Sequence, residues 1–217
     1  MSASPTSPGR EPARRWGAVV LSGGTGMRMG GVDKASVRVD GVRLLEHALA
    51  AVADADEVVV VGDPVDTSRP VLWTVEDPPR GGPAAGLLAG VDRFTRAPAF
   101  VAALAVDMPR VGPATFERLL TAVQSADETG GVDGAVLIDA SGHRQTLAAV
   151  YRLGALSSAR PAAADDVPGL SMRRLVEGLR LLEVPGVGDE TRDVDTWQDL
   201  VDLDGLPDRP SRTTLEQ

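Results

Sequence analysis

The chain has 217 residues, no cysteine and a formal net charge of −9. This length suits one domain with short extensions, and the lack of thiols excludes a disulfide scaffold, a thiolate zinc cluster and a cysteine nucleophile. The acidic balance and an aromatic content of only 3% argue against a nucleic-acid partner, because duplexes require a basic surface and single strands require stacking platforms.

Between the two ends, short apolar runs alternate with segments of helical periodicity. Brief apolar runs, each closed by a turn signal, predict strands at 18–21, 58–61, 71–75, 100–106 and 181–184. A hairpin around Ser141-Gly142 would join strands at 135–138 and 146–151. Apolar spacing and capping residues predict helices at 43–53, 84–95, 113–124, 171–178 and 197–203, with Ser171 and Thr196 as caps of the last two.

This order of elements predicts the α/β class. Strands that alternate with helices form a mainly parallel sheet, and the 135–151 hairpin would make that sheet mixed. In such sheets ligands bind outside the carboxyl ends of the strands. The glycine-rich segment at 22–34, Asp77 and Asp107 all follow predicted strands and would therefore lie at that edge.

The ends of the chain differ in composition from its middle. Residues 1–15 and 204–217 are polar and rich in proline, which predicts disordered tails on either side of one domain at 16–203. No apolar run reaches the roughly 20 residues of a membrane span, and the first fifteen residues lack the apolar centre of a secretory signal. We therefore expect a cytoplasmic protein with no membrane partner.

The segment after the first predicted strand is the strongest chemical signal. It reads Leu-Ser-Gly-Gly-Thr-Gly-Met-Arg-Met-Gly-Gly-Val-Asp-Lys over residues 21–34. Free backbone N–H groups and two cations, Arg28 and Lys34, suit a phosphate. The alternative is a flexible solvated turn. A P-loop is excluded because its Gly-Lys-Ser/Thr is missing, and a dinucleotide-binding turn is disfavoured because Asp63 comes about 40 residues later, twice the usual spacing.

Asp107 stands at the end of the most apolar predicted strand, directly before Met108 and Pro109. A carboxylate in this place suits a hard cation, because Mg²⁺ takes one or two carboxylates together with substrate phosphates. The alternative is that Asp107 caps the helix predicted at 113–124.

The 21–34 segment resembles the signature Leu-x-Gly-Gly-x-x-x-Arg-Met-Gly-x-x-Lys of the nucleotidyltransferase superfamily with a GT-A-like fold. Within it the chain is most similar to the molybdenum cofactor guanylyltransferases. Their motifs Glu-Asp … Gly-Pro-Leu-Ala-Gly-Leu, Asp-x-Pro, Gln-Pro-Leu-x-x-x-Tyr-Arg and Asn-x-Asn-Thr-Pro-Glu-Asp-Leu resemble the segments at 76–87, 107–109, 145–152 and 193–200. The resemblance implies a three-layer α/β/α, Rossmann-like sandwich of the nucleotide-diphospho-sugar transferase type.

The resemblance also implies a reaction. GMP would pass from GTP to molybdenum-loaded molybdopterin with release of pyrophosphate, and Mg²⁺ or Mn²⁺ would be the cofactor. Arg28, Lys34 and Asp107 would be catalytic, and Asp107 would also hold the metal. The implied nucleotide-binding residues are Leu21, Ser22, Gly23, Gly24, Thr25, Gly26, Lys34, Asp77 and Asp107. The protein would be a monomer or weak oligomer that docks transiently with molybdoenzymes or a companion GTPase.

Four residues carry alternatives. The family has Asn where this chain has Asp193 and Asp195, and two carboxylates near a phosphate path are costly without a compensating cation. We therefore expect Asp195 to share the metal with Asp107, and Asp193 to face the acceptor, as Arg144 would. The alternative for the two acids is a place at the N-terminus of the last helix, where acids are favourable. For Arg144 it is a solvated turn, and for Asp77 a structural role in its turn.

Other functions remain open at this point. A related transferase would use CTP, another nucleotide or another phosphorylated acceptor. A catalytically silent nucleotide-binding protein is disfavoured because Arg28, Lys34 and Asp107 are all present. An NAD(P)-dependent oxidoreductase is disfavoured because the acid after the second predicted strand, Asp63, does not lie at the usual spacing of about 20 residues after the glycine turn.

Overall fold

Seven of the apolar runs form one mixed sheet. The computed structural model of the chain describes residues 15–23, 34–127 and 131–204. In the described part the strands of this sheet are β1 Trp16–Leu21, β4 Glu57–Val61, β5 Leu72–Thr74, β6 Phe100–Ala105, β7 Gly134–Ile138, β8 Arg144–Arg152 and β9 Leu181–Pro185, whereas β2 Arg38–Val39 and β3 Val42–Arg43 form a separate pair. The strand order of the large sheet is β5-β4-β1-β6-β8-β7-β9. β8 runs antiparallel to both neighbours and the other adjacent pairs are parallel, so the predicted mixed, mainly parallel sheet is confirmed.

Helices cover both faces of this sheet. They are α1 Leu44–Ala51, α2 Pro83–Arg93, α3 Pro113–Asp127, α4 Leu153–Ala159, α5 Met172–Leu175 and α6 Trp197–Asp204. Successive side chains of a strand point to opposite faces. Ala18 and Val20 of β1 accordingly pack in the cluster that includes α1 and α3, whereas Val19 and Leu21 pack in the cluster that includes α2. The predicted three-layer sandwich is confirmed. Among the described helices, none is long and apolar enough to cross a membrane.

Helix α2 approaches β1 closely because two of its glycines face the strand. A Cβ at Gly86 would lie 2.6 Å from a methyl group of Leu21, and a Cβ at Gly90 would overlap Val19. Pro83 occupies the first helical position, where its missing N–H is not needed. The small residues in this stretch therefore place α2 against the strand whose carboxyl end leads into the glycine-rich segment.

Several elements differ from the prediction. A small antiparallel pair, β2 Arg38–Val39 and β3 Val42–Arg43, is not among the predicted elements. Asp40 and Gly41 join it with φ angles of 52° and 76°, which is the type I′ geometry that Asp-Gly favours. Helix α4 is also additional. Helix α5 ends at Leu175, short of the predicted Gly178, although the predicted cap is present because Ser171 Oγ accepts from Arg174 N at 3.2 Å.

The domain boundaries stay a prediction. The two predicted tails lie outside the described residues, apart from Arg15 and Asp204 at their inner limits.

The parallel strands bring the chemically distinctive residues to one edge. The carboxyl ends of β1, β4, β5 and β6 lie together because these strands run in the same direction. Ser22 and Gly23 follow β1, Asp77 follows β5, and Asp107 follows β6. β8 begins at this edge, since it runs antiparallel to β6. The sheet therefore sets the position of the candidate site.

Candidate active site

The described start of the glycine-rich segment is fixed against β4. The backbone N–H groups of Ser22 and Gly23 donate to the carbonyl oxygen of Val61 at 3.0 and 3.2 Å, and the buried Ser22 hydroxyl donates to the same oxygen at 3.0 Å. Leu21, at the end of β1, is buried against α2. Of the other predicted nucleotide-binding and catalytic residues, Gly24, Thr25, Gly26 and Arg28 lie outside the described residues. Their roles stay predictions.

Lys34 lies at the centre of the site. It begins a single 3₁₀ turn, Lys34–Ser36, that is anchored by the buried Ala35. Its Nζ donates to Asp107 Oδ2 at 3.0 Å and to Asp195 Oδ1 at 2.6 Å. The side chain of Lys34 is 13% exposed, and those of Asp107 and Asp195 are 25% and 37% exposed. We call these three residues the Lys34 cluster.

The electrostatics of the Lys34 cluster keep the lysine charged. Burial favours the neutral amine, but the hydrogen bond to Asp195 and the charge and hydrogen bond of Asp107 outweigh it, so the pKa of Lys34 is raised above its ordinary value. The ammonium is consequently a permanent cation at neutral pH. A fixed positive charge at this edge suits the phosphates of a nucleotide.

The loop that carries Asp195 is held at its α6 end. Val194 is completely buried, and its N–H donates to the carbonyl oxygen of Asp107 at 2.8 Å. Asp199 Oδ2 accepts from the N–H groups of Asp195 and Thr196 at 3.1 and 2.7 Å and from Thr196 Oγ1 at 2.8 Å, while Asp199 N donates back to Thr196 Oγ1 at 3.2 Å. This reciprocal pattern is a capping box, and its hydrogen bonds from Thr196 lower the pKa of Asp199.

The same loop is also held farther upstream. Glu190 accepts from Thr115 Oγ1 at 2.7 Å, from Arg118 Nη2 at 2.6 Å and from Val187 N at 2.8 Å. Thr115 and Arg118 belong to α3, so these bonds tie the segment between β9 and α6 to the body of the sandwich. Asp195 is thus presented from a loop with anchors on both sides.

Asp193 lies close to the cluster. Partial burial and the charges of Asp195 and Asp107 raise the pKa of Asp193 above its ordinary value. The structure therefore places Asp193 near the two carboxylates of the Lys34 cluster, and its predicted contact with the acceptor stays a prediction. The alternative for Asp193 and Asp195 was a place at the N-terminus of the last helix. The capping carboxylate of α6 is instead that of Asp199, whereas the carboxylate of Asp195 pairs with Lys34.

Asp77 and Arg144 have other surroundings. Asp77 is exposed in the loop after β5, which is two strands away from β1 in the sheet. Arg144 Nε donates to Glu183 Oε1 of β9 at 2.8 Å, and both side chains are 46% exposed. Arg144 therefore has its ion-pair partner on β9 instead of in the Lys34 cluster. The roles predicted for Asp77 and Arg144 stay predictions.

The donor set of the cluster can be tested for its fit to a metal. In the described ranges, no group of three or more His, Cys, Asp or Glu side chains is arranged to hold a metal ion. Two carboxylates, Asp107 and Asp195, do converge on one nitrogen. Mg²⁺ at phosphate-transfer sites is held by one or two carboxylates and completes its shell with water and substrate phosphates. The residues thus fit Mg²⁺ or Mn²⁺ that binds together with a nucleotide.

The chain matches a family model described as the MobA-like NTP transferase domain over residues 18–183. That range begins in β1 and ends in β9, and it includes Lys34 and Asp107. The chain belongs to the MobA-like NTP transferase family. It is therefore a member of a nucleotidyltransferase family, as the glycine-rich segment predicted.

Named relatives match this MobA-like chain to different extents. It is 44% identical over 79 residues to a molybdenum cofactor guanylyltransferase of Acidiphilium cryptum, which is 34% of this chain and 40% of that protein. It is 28% identical over 173 residues to the molybdenum cofactor guanylyltransferase of Cupriavidus metallidurans, a match that covers 77% of this chain and 83% of that protein. It is 35% identical over 158 residues to a phosphoenolpyruvate guanylyltransferase of Thermomonospora curvata, a match that covers 70% of this chain and 64% of that protein. The chain thus spans less than half of the first relative and most of the second.

Solved structures share the fold of this MobA-like domain. Molybdopterin-guanine dinucleotide biosynthesis protein A of Archaeoglobus fulgidus is similar with a TM-score of 0.66 at 20% identity, covering 87% of this chain and 96% of that one. The 2-C-methyl-D-erythritol 4-phosphate cytidylyltransferase of Thermus thermophilus has a TM-score of 0.62 at 21% identity, with 86% and 96% covered. These likenesses confirm the nucleotidyltransferase sandwich.

Two residues that shape the site were not predicted. Asp199 was recoverable, because Thr196-x-x-Asp199 has the spacing of a capping box. Glu190 gives no local signal, since Thr115 and Arg118 precede it by 75 and 72 positions.

Proposed function

We propose that this chain transfers GMP from GTP to molybdenum-loaded molybdopterin and releases pyrophosphate. The observation that carries the proposal is the Lys34 cluster, in which one ammonium lies between two carboxylates at the carboxyl edge of β1 and β6. Membership of the MobA-like family and the relatives named molybdenum cofactor guanylyltransferase support the choice of nucleotide and acceptor.

The proposed reaction is an in-line displacement at phosphorus. A phosphate oxygen of the acceptor attacks the α-phosphorus of GTP and forms a new P–O bond. The bond from that phosphorus to the α–β bridging oxygen breaks, and its electron pair leaves with pyrophosphate. No covalent enzyme intermediate is required, so positioning and charge neutralisation supply the rate enhancement.

In this proposal the Lys34 ammonium neutralises charge that develops on the α-phosphate and the leaving oxygen. The N–H groups of Ser22 and Gly23 already donate to Val61, so in the proposal the backbone N–H groups that hold the triphosphate, together with Arg28, are those of the glycine-rich segment after Gly23. Asp107 and Asp195 would hold Mg²⁺, which supplies Lewis-acid polarisation of the phosphate when bound. Asp77 would contact the guanine nucleotide from the loop that follows β5.

The acceptor would approach on the side of the 193–196 loop. Asp193 faces it there in the proposal, and Arg144 would contact its phosphate. Since Arg144 pairs with Glu183, this contact requires that the exposed ion pair opens.

A second candidate is guanylyl transfer to phosphoenolpyruvate. The relative that carries this activity in its name is 35% identical over 70% of this chain. Asp193 and Asp195 in place of the Asn of the molybdenum cofactor pattern also favour a different acceptor, because they change the charge beside the phosphate path.

The test is pyrophosphate release by the purified protein with Mg²⁺. GTP, CTP and ATP are each paired with molybdenum-charged molybdopterin and with phosphoenolpyruvate. The proposal predicts release with GTP and molybdopterin. Release with GTP and phosphoenolpyruvate selects the second candidate, and release with CTP and molybdopterin overturns the choice of base. A protein that binds GTP but releases nothing with either acceptor refutes both candidates.

A further inference from the structure

Lys34 is the one lysine of the chain, whereas arginine occurs 21 times. Apart from the contact between His143 and Asp139, the ion pairs elsewhere in the described residues use arginine, for example Arg110 with Asp40 and Arg160 with Asp92. Arginine is a rigid planar fork, but lysine is a compact charge on a flexible four-carbon stem. The position between Asp107 and Asp195 is therefore occupied by the cation that most easily changes partners.

We propose that the Lys34 ammonium and the divalent cation compete for Asp107 and Asp195, so that metal loading transfers Lys34 from the carboxylates to the nucleotide's phosphates. This inference rests on the proposed function, because it concerns how the same site receives the metal and the nucleotide.

The competition follows from the distances. Nζ is hydrogen-bonded to both carboxylates at 3.0 and 2.6 Å, so a metal ion bound by the same groups would lie within a few ångströms of a unit positive charge. Two cations at such a separation repel each other strongly in a partly buried site unless an anion lies between them. A triphosphate supplies that anion. The metal and the nucleotide should therefore each bind weakly alone and strongly together, which is positive coupling.

The lysine is the part of the cluster that can move. Val194 N holds the backbone of Asp107, and Asp199 holds the backbone of Asp195, so both carboxylates are presented from fixed positions. Lys34 extends its flexible stem from a turn of three residues. Exchange of partners then requires rotation of one side chain and no change in the sheet or in α6.

The direct test measures Mn²⁺ binding to the protein without nucleotide, by the electron paramagnetic resonance signal of free Mn²⁺. Lys34→Met keeps the stem and removes the charge, and we expect it to bind Mn²⁺ at least about tenfold more tightly than wild type. Lys34→Arg keeps the charge and should bind as weakly as wild type. Arg160→Met is the matched control, because it removes a cation from an exposed pair, and its affinity should not change.

A second measurement needs no variant. Biosynthetic labelling with lysine enriched at Cε gives one resonance, because the chain has one lysine. We expect a large change in its chemical shift only when Mg²⁺ and GTP are both present, and small changes with either alone.

Two results would overturn the inference. If Lys34→Met binds Mn²⁺ no more tightly than wild type while Asp107→Asn weakens binding, the metal uses the carboxylates without competing with Lys34. If Asp107→Asn leaves Mn²⁺ affinity unchanged, the metal does not bind here at all. Failure of the proposed function can be told apart from failure of this inference. If Lys34→Met binds Mn²⁺ more tightly but the wild-type protein transfers no GMP, the competition stands and only the proposed reaction is refuted.

Discussion

Removal of Glu190 should loosen the loop that presents Asp195. The Glu190 carboxylate is only 12% exposed and accepts hydrogen bonds from Thr115, Arg118 and Val187. Thr115 is completely buried. In Glu190→Ala the hydroxyl of Thr115 loses the carboxylate to which it donates, and Arg118 loses its ion-pair partner.

The expected cost can be estimated from these contacts. A buried hydroxyl without an acceptor costs about 1–3 kcal/mol, and the loss of a charge-assisted hydrogen bond to Arg118 adds about 1–2 kcal/mol. We therefore expect Glu190→Ala to lower the free energy of unfolding by about 3 kcal/mol. Urea unfolding followed by tryptophan fluorescence measures this change.

Glu183→Ala is the matched control for this measurement. It removes a glutamate whose pair with Arg144 is 46% exposed on both sides, so its cost should be about 0–1 kcal/mol. Equal losses in the two variants would refute the conclusion that Glu190 anchors the loop.

The pH dependence of the same anchor has a definite sign. Burial opposes the charge of Glu190, but the hydrogen bonds from Arg118, Thr115 and Val187 outweigh it and hold its pKa below the ordinary value of 4.5. Its contribution is therefore complete above the unfolded-state pKa and is lost as pH falls through the lower folded-state pKa. The stability difference between wild type and Glu190→Gln should be constant at neutral pH and narrow below about pH 4.5. A difference that widens toward acid contradicts this assignment.

Two further predictions concern packing and the nucleotide. Gly90→Ala should cost about 1–3 kcal/mol in urea unfolding, because its Cβ overlaps Val19, whereas Gly154→Ala in α4 meets open space and should be neutral or stabilising by up to about 1 kcal/mol. Similar losses of stability in the two variants would contradict the conclusion that α2 packs closely against β1 at Gly90. Asp77→Ala should raise KM for GTP severalfold with little change in kcat, in steady-state rates of pyrophosphate release. An unchanged KM for GTP would contradict a role of Asp77 in binding the nucleotide.

The strands of the fold and their alternation with helices follow closely from local patterns. Each strand of the parallel part is a short apolar run closed by glycine, proline or aspartate, and that alternation with helices was sufficient to predict the sandwich. Helix α4 could not be predicted from the sequence, because Leu156 is its one buried side chain and the helix therefore has no apolar stripe. Its position is set by the end of β8, which is tertiary information.

The candidate site was partly predictable for a related reason. Asp107 and Asp195 are separated from Lys34 by 73 and 161 positions, yet all three come together. Asp107 follows β6 at the carboxyl edge, and β1 leads into the glycine-rich segment that ends at Lys34, so strand direction alone places these two nearby. Glu190 could not be found in this way, because its partners lie on α3 and no spacing in the sequence relates them.

The most direct measurement compares pyrophosphate release by wild type, Lys34→Met, Asp107→Asn and Arg160→Met at saturating GTP, acceptor and Mg²⁺. If the Lys34 cluster performs nucleotidyl transfer, the first two variants should be slower than wild type by about 100-fold or more, and Arg160→Met should be unchanged. Wild-type rates in Lys34→Met or Asp107→Asn would contradict the assignment and move the chemistry away from this cluster.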